Sequence, residues 1–241
     1  MQRVSGDTPD AKNSSPNPEI STLGILVGSI RRSFRRRRQH LLPHVTFIIR
    51  QRGSIDFRCL RFGSYSSKLT QKGTVVDWRK SVVDYLWTLP QPSSPLDHES
   101  FAQEWRYGYY LATREFAAAP DPTKFKTIDE IHLSILEELI KKYQLESIWN
   151  GDLVQEINLV WHRLHGWPDT TEGLNLLKKK FIIGTLSNGN ARLLIDMAKF
   201  TDLPWDVIFS GDLLKAYKPN ERMYLGACEY LQLPPEKVGM L

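Results

Sequence analysis

The sequence predicts an α/β fold: a Rossmann-like parallel sheet with an inserted helical cap. Three observations carry this. Phe181 to Leu186 is a short apolar run with the turn residues Ser187-Asn188-Gly189 behind it, as in a buried strand. Helix-spaced apolar residues from Ala191 to Phe200, a second short run at Val207-Ile208-Phe209 and a further helix from Glu221 to Leu231 complete a βαβ unit, which implies parallel strands. Finally, roughly 80–165 reads as helix almost throughout and stands between Gly73-Thr74 and that unit.

In chain order, residues 1–19 are rich in Ser, Pro, Asn and Asp, a composition too poor in apolar residues for a core. Ile20 to Ile55 has no acidic residue and eight arginines, four of them in Arg35 to Arg38. Such runs serve as nuclear signals, transit-like segments or nucleic-acid arms, or are simply solvated. No nucleic-acid fold or regular aromatic interleaving accompanies this one, so a solvated extension is expected and nucleic acid is not an expected partner. Ser64 to Lys72 offers one strong apolar residue, Leu69, where an apolar strand ought to precede Gly73-Thr74. Residues 1–72 are therefore expected to be a basic, largely disordered or irregular extension. Residues 73–79 with 168–241 form the expected α/β core, and 80–167 the helical cap.

Within the cap, helices are expected from Trp78 to Trp87, Phe101 to Phe116, Ile128 to Tyr143 and Asp152 to Leu164, each with apolar residues recurring at helical spacing. Gln91 to Leu96 and Ala117 to Thr123 are Pro-containing loops, and Thr171 to Lys179 is a helix feeding Phe181. Lys237 to Leu241 reads as the first half of one more strand, so the chain is expected to stop inside it.

The totals narrow the function classes. Of the 241 residues, 41% are apolar, enough for a real core. The net charge of +5 divides into +10 over residues 1–72 and −5 over 73–241, so the expected compact part is mildly acidic. Two cysteines, Cys59 and Cys228, make neither a disulfide framework nor a cysteine zinc site and fit a reducing, cytoplasmic setting. No apolar run reaches the roughly 18–20 residues of a membrane helix. The longest, Ile20 to Ile30, has its arginines after it, the wrong order for a secretory signal.

Ligands of parallel sheets sit beyond the carboxyl ends of the strands. Ser187, Asn188 and Lys218 lie at or just past those ends and offer a hydroxyl, an amide and a cation, a set suited to an anion. The helix that starts after Asn188 favours the same charge. His162 and His165, three apart, have no carboxylate set expected around them and are not read as metal ligands. Trp161, Trp167 and Trp205 read as packing residues.

The ordered series GTVVDWR at 73–79, Glu104-Trp105-Arg106, TLSNG at 185–189 and YKPNERMY at 217–224 resembles the haloacid dehalogenase superfamily, and within it the type II (S)-2-haloacid dehalogenases, especially fungal ones. The resemblance spans about 73–241. It implies hydrolytic dehalogenation of a short (S)-2-haloacid with no metal or other cofactor. In that chemistry an aspartate at the end of the first strand attacks the halogen-bearing carbon, halide leaves, and water hydrolyses the resulting ester. It also implies roles residue by residue. Lys218 would neutralise the nucleophile and substrate charge, or else be a solvent lysine. Thr74 would hydrogen-bond near the nucleophile, or only terminate a strand. Arg106 would accept the halide or the substrate carboxylate, Ser187 and Asn188 would bind that carboxylate, and Tyr224 would stand behind Lys218 or simply pack in the core.

The family's nucleophile stands three residues before the Gly-Thr pair, and Thr70 occupies that position here, flanked by Gln71 and Lys72. A hydroxyl without an adjacent base is a poor nucleophile at neutral pH, where a carboxylate is ionised. The related phosphatases need a second aspartate two residues further on, where Lys72 stands. The family's last motif would follow the strand beginning at Val238, beyond Leu241. The expectation is thus a dehalogenase by lineage, with a catalytically inactive or truncated relative as the alternative. The expected partner is a small 2-haloacid, with no membrane association; a homodimer is compatible with the resemblance.

Overall fold

The computed structural model of the chain describes residues 46–51 and 75–240. Thr70, Thr74 and the arginine cluster at 31–38 lie outside the described residues. Strand β1 is Thr46–Gln51. Helices α1 (Trp78–Trp87), α2 (His98–Ala118), α3 (Ile128–Lys142), α4 (Asp152–Asn158) and α5 (Thr170–Lys178) precede β2 (Phe181–Ser187). Then come α6 (Ala191–Phe200), β3 (Val207–Ser210), the short α7 (Gly211–Leu214), α8 (Glu221–Tyr230) and β4 (Gly239–Met240).

Helices α1, α2, α3 and α8 begin where a side chain satisfies a free N–H group of the first turn. Asp77 accepts from the Lys80 amide at 3.2 Å, and Asp97 from the Ser100 amide at 3.0 Å. Thr127 and Glu130 form a capping box at α3: the Thr127 N–H donates to Glu130 at 2.6 Å, and the Glu130 N–H donates back to the Thr127 hydroxyl at 3.3 Å. Helix α3 also carries Asp129 and Glu130 in its first turn and Lys141 and Lys142 in its last, as its dipole favours. The helix expected to reach Leu164 ends at Asn158 and tightens into a 3-10 turn over Leu159–His162.

The sheet order is β3-β2-β1-β4. The expected parallel pair is β2 with β3, in which Ser187 stands opposite Ser210, so both carboxyl ends emerge at one edge. Strand β1 runs antiparallel to β2, with Thr46 opposite Leu186 and Gln51 opposite Phe181, and β4 is antiparallel to β1. The sheet is therefore mixed, and one strand falls inside the stretch expected to be irregular. TFIIRQ carries the β-branched and aromatic residues that strands favour; the arginines around it drew the reading toward a solvated segment. Val76, within the 73–79 stretch expected to open the core, makes an isolated antiparallel bridge with Gly166.

One apolar cluster runs from the helices into the sheet. Trp78, Trp105, Trp149 and Trp161 share it with Ile183 of β2 and Leu193, Leu194 and Met197 of α6. Trp161 stacks on His132 with centroids 4.5 Å apart and on Trp78 at 6.0 Å, and meets Trp105 edge-on at 5.3 Å. A second cluster gathers Leu186, Phe209, Leu214, Met223 and Ala227. Gly108 lets α2 and α3 approach, since a Cβ there would stand 2.9 Å from Ile135. No helix among the described residues is long and apolar enough to cross a membrane.

Because Trp161 is only 1% exposed and joins three aromatic neighbours, Trp161→Ala is expected to cost about 3–5 kcal/mol in urea denaturation. A loss well under about 1 kcal/mol would mean that this cluster does not hold the helices on the sheet.

Candidate active site

The carboxyl end of β2 turns sharply at Ser187-Asn188-Gly189, and the turn is closed by its own side chains. The Gly189 amide donates to the Ser187 hydroxyl at 3.1 Å. Lys218 reaches the turn twice: its backbone N–H donates to the Asn188 side-chain oxygen at 2.7 Å, and its amine donates to the Leu186 carbonyl at 2.8 Å. The Lys218–Pro219 peptide is cis. Ser187, Asn188 and Lys218 are 1%, 2% and 5% exposed. Burial pushes the Lys218 amine well below the ordinary lysine range. An anion arriving beside it would reverse that effect by pairing with the ammonium form.

The loop after β3 is drawn to the same place. The Gly211 amide donates to the Gly189 carbonyl at 3.1 Å. A Cβ at Gly211 would lie 2.6 Å from the Asn188 carbonyl oxygen and 2.9 Å from the Tyr217 ring, so this crossing admits only glycine without a shift. Asp212 accepts from the Ser210 hydroxyl and from the Ala191 amide, the latter at 2.9 Å, and so links the end of β3 to the start of α6.

Arg106 enters from α2 and is 1% exposed. Its guanidinium carbon lies 4.7 Å from the centre of the Tyr109 ring and 5.6 Å from that of Trp78, contacts in which aromatic faces stabilise the cation. Burial pulls the guanidinium down to about 9, with Tyr109 acting the other way, so it remains a cation at neutral pH. Burial raises the Tyr109 hydroxyl, while Arg106 and Asn188 beside it oppose the rise. Tyr109 therefore lies beside both the arginine and Asn188. On the same side, His132 stacks on Trp161 and meets the Tyr109 ring at a tilt, with centroids 4.5 and 5.0 Å away. Burial, with the charges of Arg106 and His162, holds His132 well below the ordinary histidine value.

The structure thus gathers Arg106, Ser187, Asn188 and Lys218. Tyr224 instead packs against the second apolar cluster with Leu186 and Phe209, and burial raises its hydroxyl. Thr70 and Thr74 lie outside the described residues. Their neighbour Val75 is buried, and its carbonyl accepts from the Thr170 hydroxyl at 2.9 Å. Three participants escaped the sequence reading: Tyr109, His132 and Gly211. The Arg106-to-Tyr109 spacing, i and i+3 on one helix face, was the available signal for the first. A small cavity lined by Val76, His132, Trp161, Ser187 and Leu193 adjoins the turn. Among the described residues no three His, Cys, Asp or Glu side chains come together as a metal set. His162, set aside as a ligand for want of carboxylates, does have two beside it, Asp129 and Asp196, each 3.0 Å from a ring nitrogen. A buried guanidinium, a buried amine, an amide and a hydroxyl can hold a small carboxylate and a departing halide in water-poor surroundings.

The chain also resembles known proteins. Residues 48–241 match a family model described as haloacid dehalogenase-like hydrolase. The chain is 34% identical over 102 residues to (S)-2-haloacid dehalogenase 4A of Burkholderia cepacia, covering 41% of this chain and 43% of that one. It is likewise 34% identical over 90 residues to (S)-2-haloacid dehalogenase 1 of Pseudomonas sp. (strain CBS-3), covering 36% and 40%. These alignments span about two fifths of the length of the curated relatives. The crystal structure of the L-2-haloacid dehalogenase PA0810 superposes with a TM-score of 0.62 at 35% identity, over 68% of this chain and 69% of that one. The defluorinating L-2-haloacid dehalogenase Rha0230 gives 0.61 at 33% identity, over 68% and 66%.

Removing the acceptor at the centre of the turn strands a buried donor. Asn188→Ala is expected to cost about 1–3 kcal/mol in chemical denaturation, and Gly211→Ala, which forces the Asn188 carbonyl and Tyr217 apart, a similar amount. Wild-type stability in both variants would show that the turn is not held by these contacts.

Proposed function

The chain belongs to the haloacid dehalogenase-like hydrolases, among the 2-haloacid dehalogenases, and from that premise we propose that its site is built for hydrolytic dehalogenation of a short (S)-2-haloacid. The observation that carries the proposal is the double contact of Lys218 with the Asn188 turn, at 2.7 and 2.8 Å, with the buried Arg106 nearby through Tyr109. In this reading Ser187, Asn188 and Lys218 take the substrate carboxylate, and Arg106 takes the halide as the carbon–halogen bond breaks. Charge-assisted hydrogen bonds in a dry setting suit both tasks. Thr74 would act beside the nucleophile, and Tyr224 would support Lys218 from the apolar cluster behind it. The helices over 80–167 would form the lid of the site and residues 73–79 with 168–241 its platform.

A second reading, a relative that binds the haloacid without turning it over, is favoured by a specific observation. Thr70 holds the nucleophile position, and a hydroxyl without a base is not the carboxylate the reaction uses. Strand β1 beside β2 is antiparallel, so its own carboxyl end, at Gln51, emerges at the edge away from Ser187. A cytoplasmic setting and a homodimer complete the proposal. The exposed Trp87, Tyr107 and Leu111 are apolar surface that a second copy would cover.

The test is binding and turnover of (S)-2-chloropropionate. Calorimetry is expected to show binding that weakens more than about tenfold in Lys218→Ala and in Arg106→Ala, with circular dichroism checking that each variant folds. Unchanged affinity in folded Lys218→Ala would overturn the site. Chloride release with formation of the inverted 2-hydroxy acid, abolished in Lys218→Ala, would establish turnover; binding without release is the outcome of the second reading.

A further inference from the structure

Asp129, His162 and Asp196 lie on three different elements and meet in one contact. His162, 4% exposed, ends the 3-10 turn after α4. Its Nε2 is 3.0 Å from Asp129 of α3 and its Nδ1 is 3.0 Å from Asp196 of α6. A neutral imidazole has one N–H and could serve only one of these carboxylates; the imidazolium serves both. Asp129 then uses its other oxygen to accept from the Asn190 side chain at 2.8 Å. Asn190 is the residue from which α6 starts, two positions after Asn188. Arg192 donates to both oxygens of Asp196 at 2.8 Å.

We infer that Asp129 and His162 are positioning residues for the Ser187–Asn190 turn: the doubly protonated His162 ring, gripped by Asp129 and Asp196, clamps α3 and the Leu159–His162 turn onto the start of α6, and the clamp loosens when the ring gives a proton to solvent. The effect on ligands rests on the anion-holding role proposed for that turn; the clamp itself does not.

The groups facing His162 are Asp129 and His132 from α3 and Asp196 and Arg192 from α6. From α4, Asn158 donates to the Asp129 carbonyl at 3.1 Å, and from α1, Trp78 stacks on the neighbouring Trp161. Two carboxylates thus face one imidazolium and one guanidinium. Loss of the histidine proton leaves Arg192, on Asp196, as the one cation among these groups, and turns one ring lone pair toward a carboxylate oxygen. Burial by itself would lower His162, but the hydrogen bonds to Asp129 and Asp196, and their charges, outweigh it and raise the ring above the ordinary 6.5. Burial likewise opposes charge on Asp196, and His162 and Arg192 outweigh it, holding that carboxyl below its ordinary 3.8. A group raised on folding stabilises below its unfolded value and ceases to as pH climbs through its folded one; a lowered carboxyl stabilises above its unfolded value and ceases to as pH falls through its folded one. The clamp is therefore closed between the lowered value of Asp196 and the raised value of His162.

Hydrogen exchange on the full chain tests this. In the wild type, protection factors of the Gly189 and Asn190 amides are expected to stay flat up to the titration of His162, followed by ring nitrogen NMR. Above it they should fall by up to about tenfold per pH unit, the limit for one proton. Asp129→Asn and His162→Gln are expected to show low protection without that pH step. The dissociation constant of (S)-2-chloropropionate should rise over the same interval. If the wild type binds no 2-chloropropionate at any pH yet shows the step, the clamp stands and the anion-holding reading fails. Wild-type protection that is level across the His162 titration overturns the clamp, whether or not the variants fold.

Discussion

The contact on which the site depends is the hydrogen bond from the Lys218 backbone to the Asn188 side chain. It joins the loop after β3 to the turn after β2, two segments that the parallel pairing of Ser187 with Ser210 brings to one edge without connecting. Once that bond is made, the Lys218 amine falls on the Leu186 carbonyl, and Gly211 passes close enough to the Asn188 carbonyl that no side chain fits. A backbone donor and a side-chain acceptor, both nearly out of reach of water, make a bond whose loss costs more than its formation contributes.

Around that bond the protein buries two basic groups, Lys218 and Arg106. Burying charge is unfavourable for folding, and both groups show it in lowered basicity. Aromatic faces offset part of the cost at Arg106, and a backbone carbonyl part of it at Lys218. Local rules of stability are commonly broken where a site has work to do. Here the violation is specific: two basic groups buried where a bound anion would favour their charged forms.

The parts of this arrangement that could be read from the sequence are those with a local signature. The β2–α6–β3 unit declares itself by apolar runs and turn residues within a short span, and Ser187, Asn188 and Lys218 are then placed by the rule for strand ends. Arg106 entered through the family resemblance that Glu104-Trp105-Arg106 helps carry. Tyr109 and His132 look like any core residue on a helix, since periodicity reports that a face is buried but not what it meets. Asp129, His162 and Asp196 stand 33 and 34 residues apart, a separation at which no pattern in the chain links them. Strand β1 was obscured because charge dominated the reading of its surroundings. α7, four residues long, is too short to show a period.

The near-total burial of Arg106, Asn188 and Lys218 has a kinetic corollary. A ligand cannot collide with groups that solvent does not touch, so arrival would be paced by how often the surrounding helices part, not by diffusion. Observed association rates would then level off with rising ligand concentration, the mark of a gated entrance.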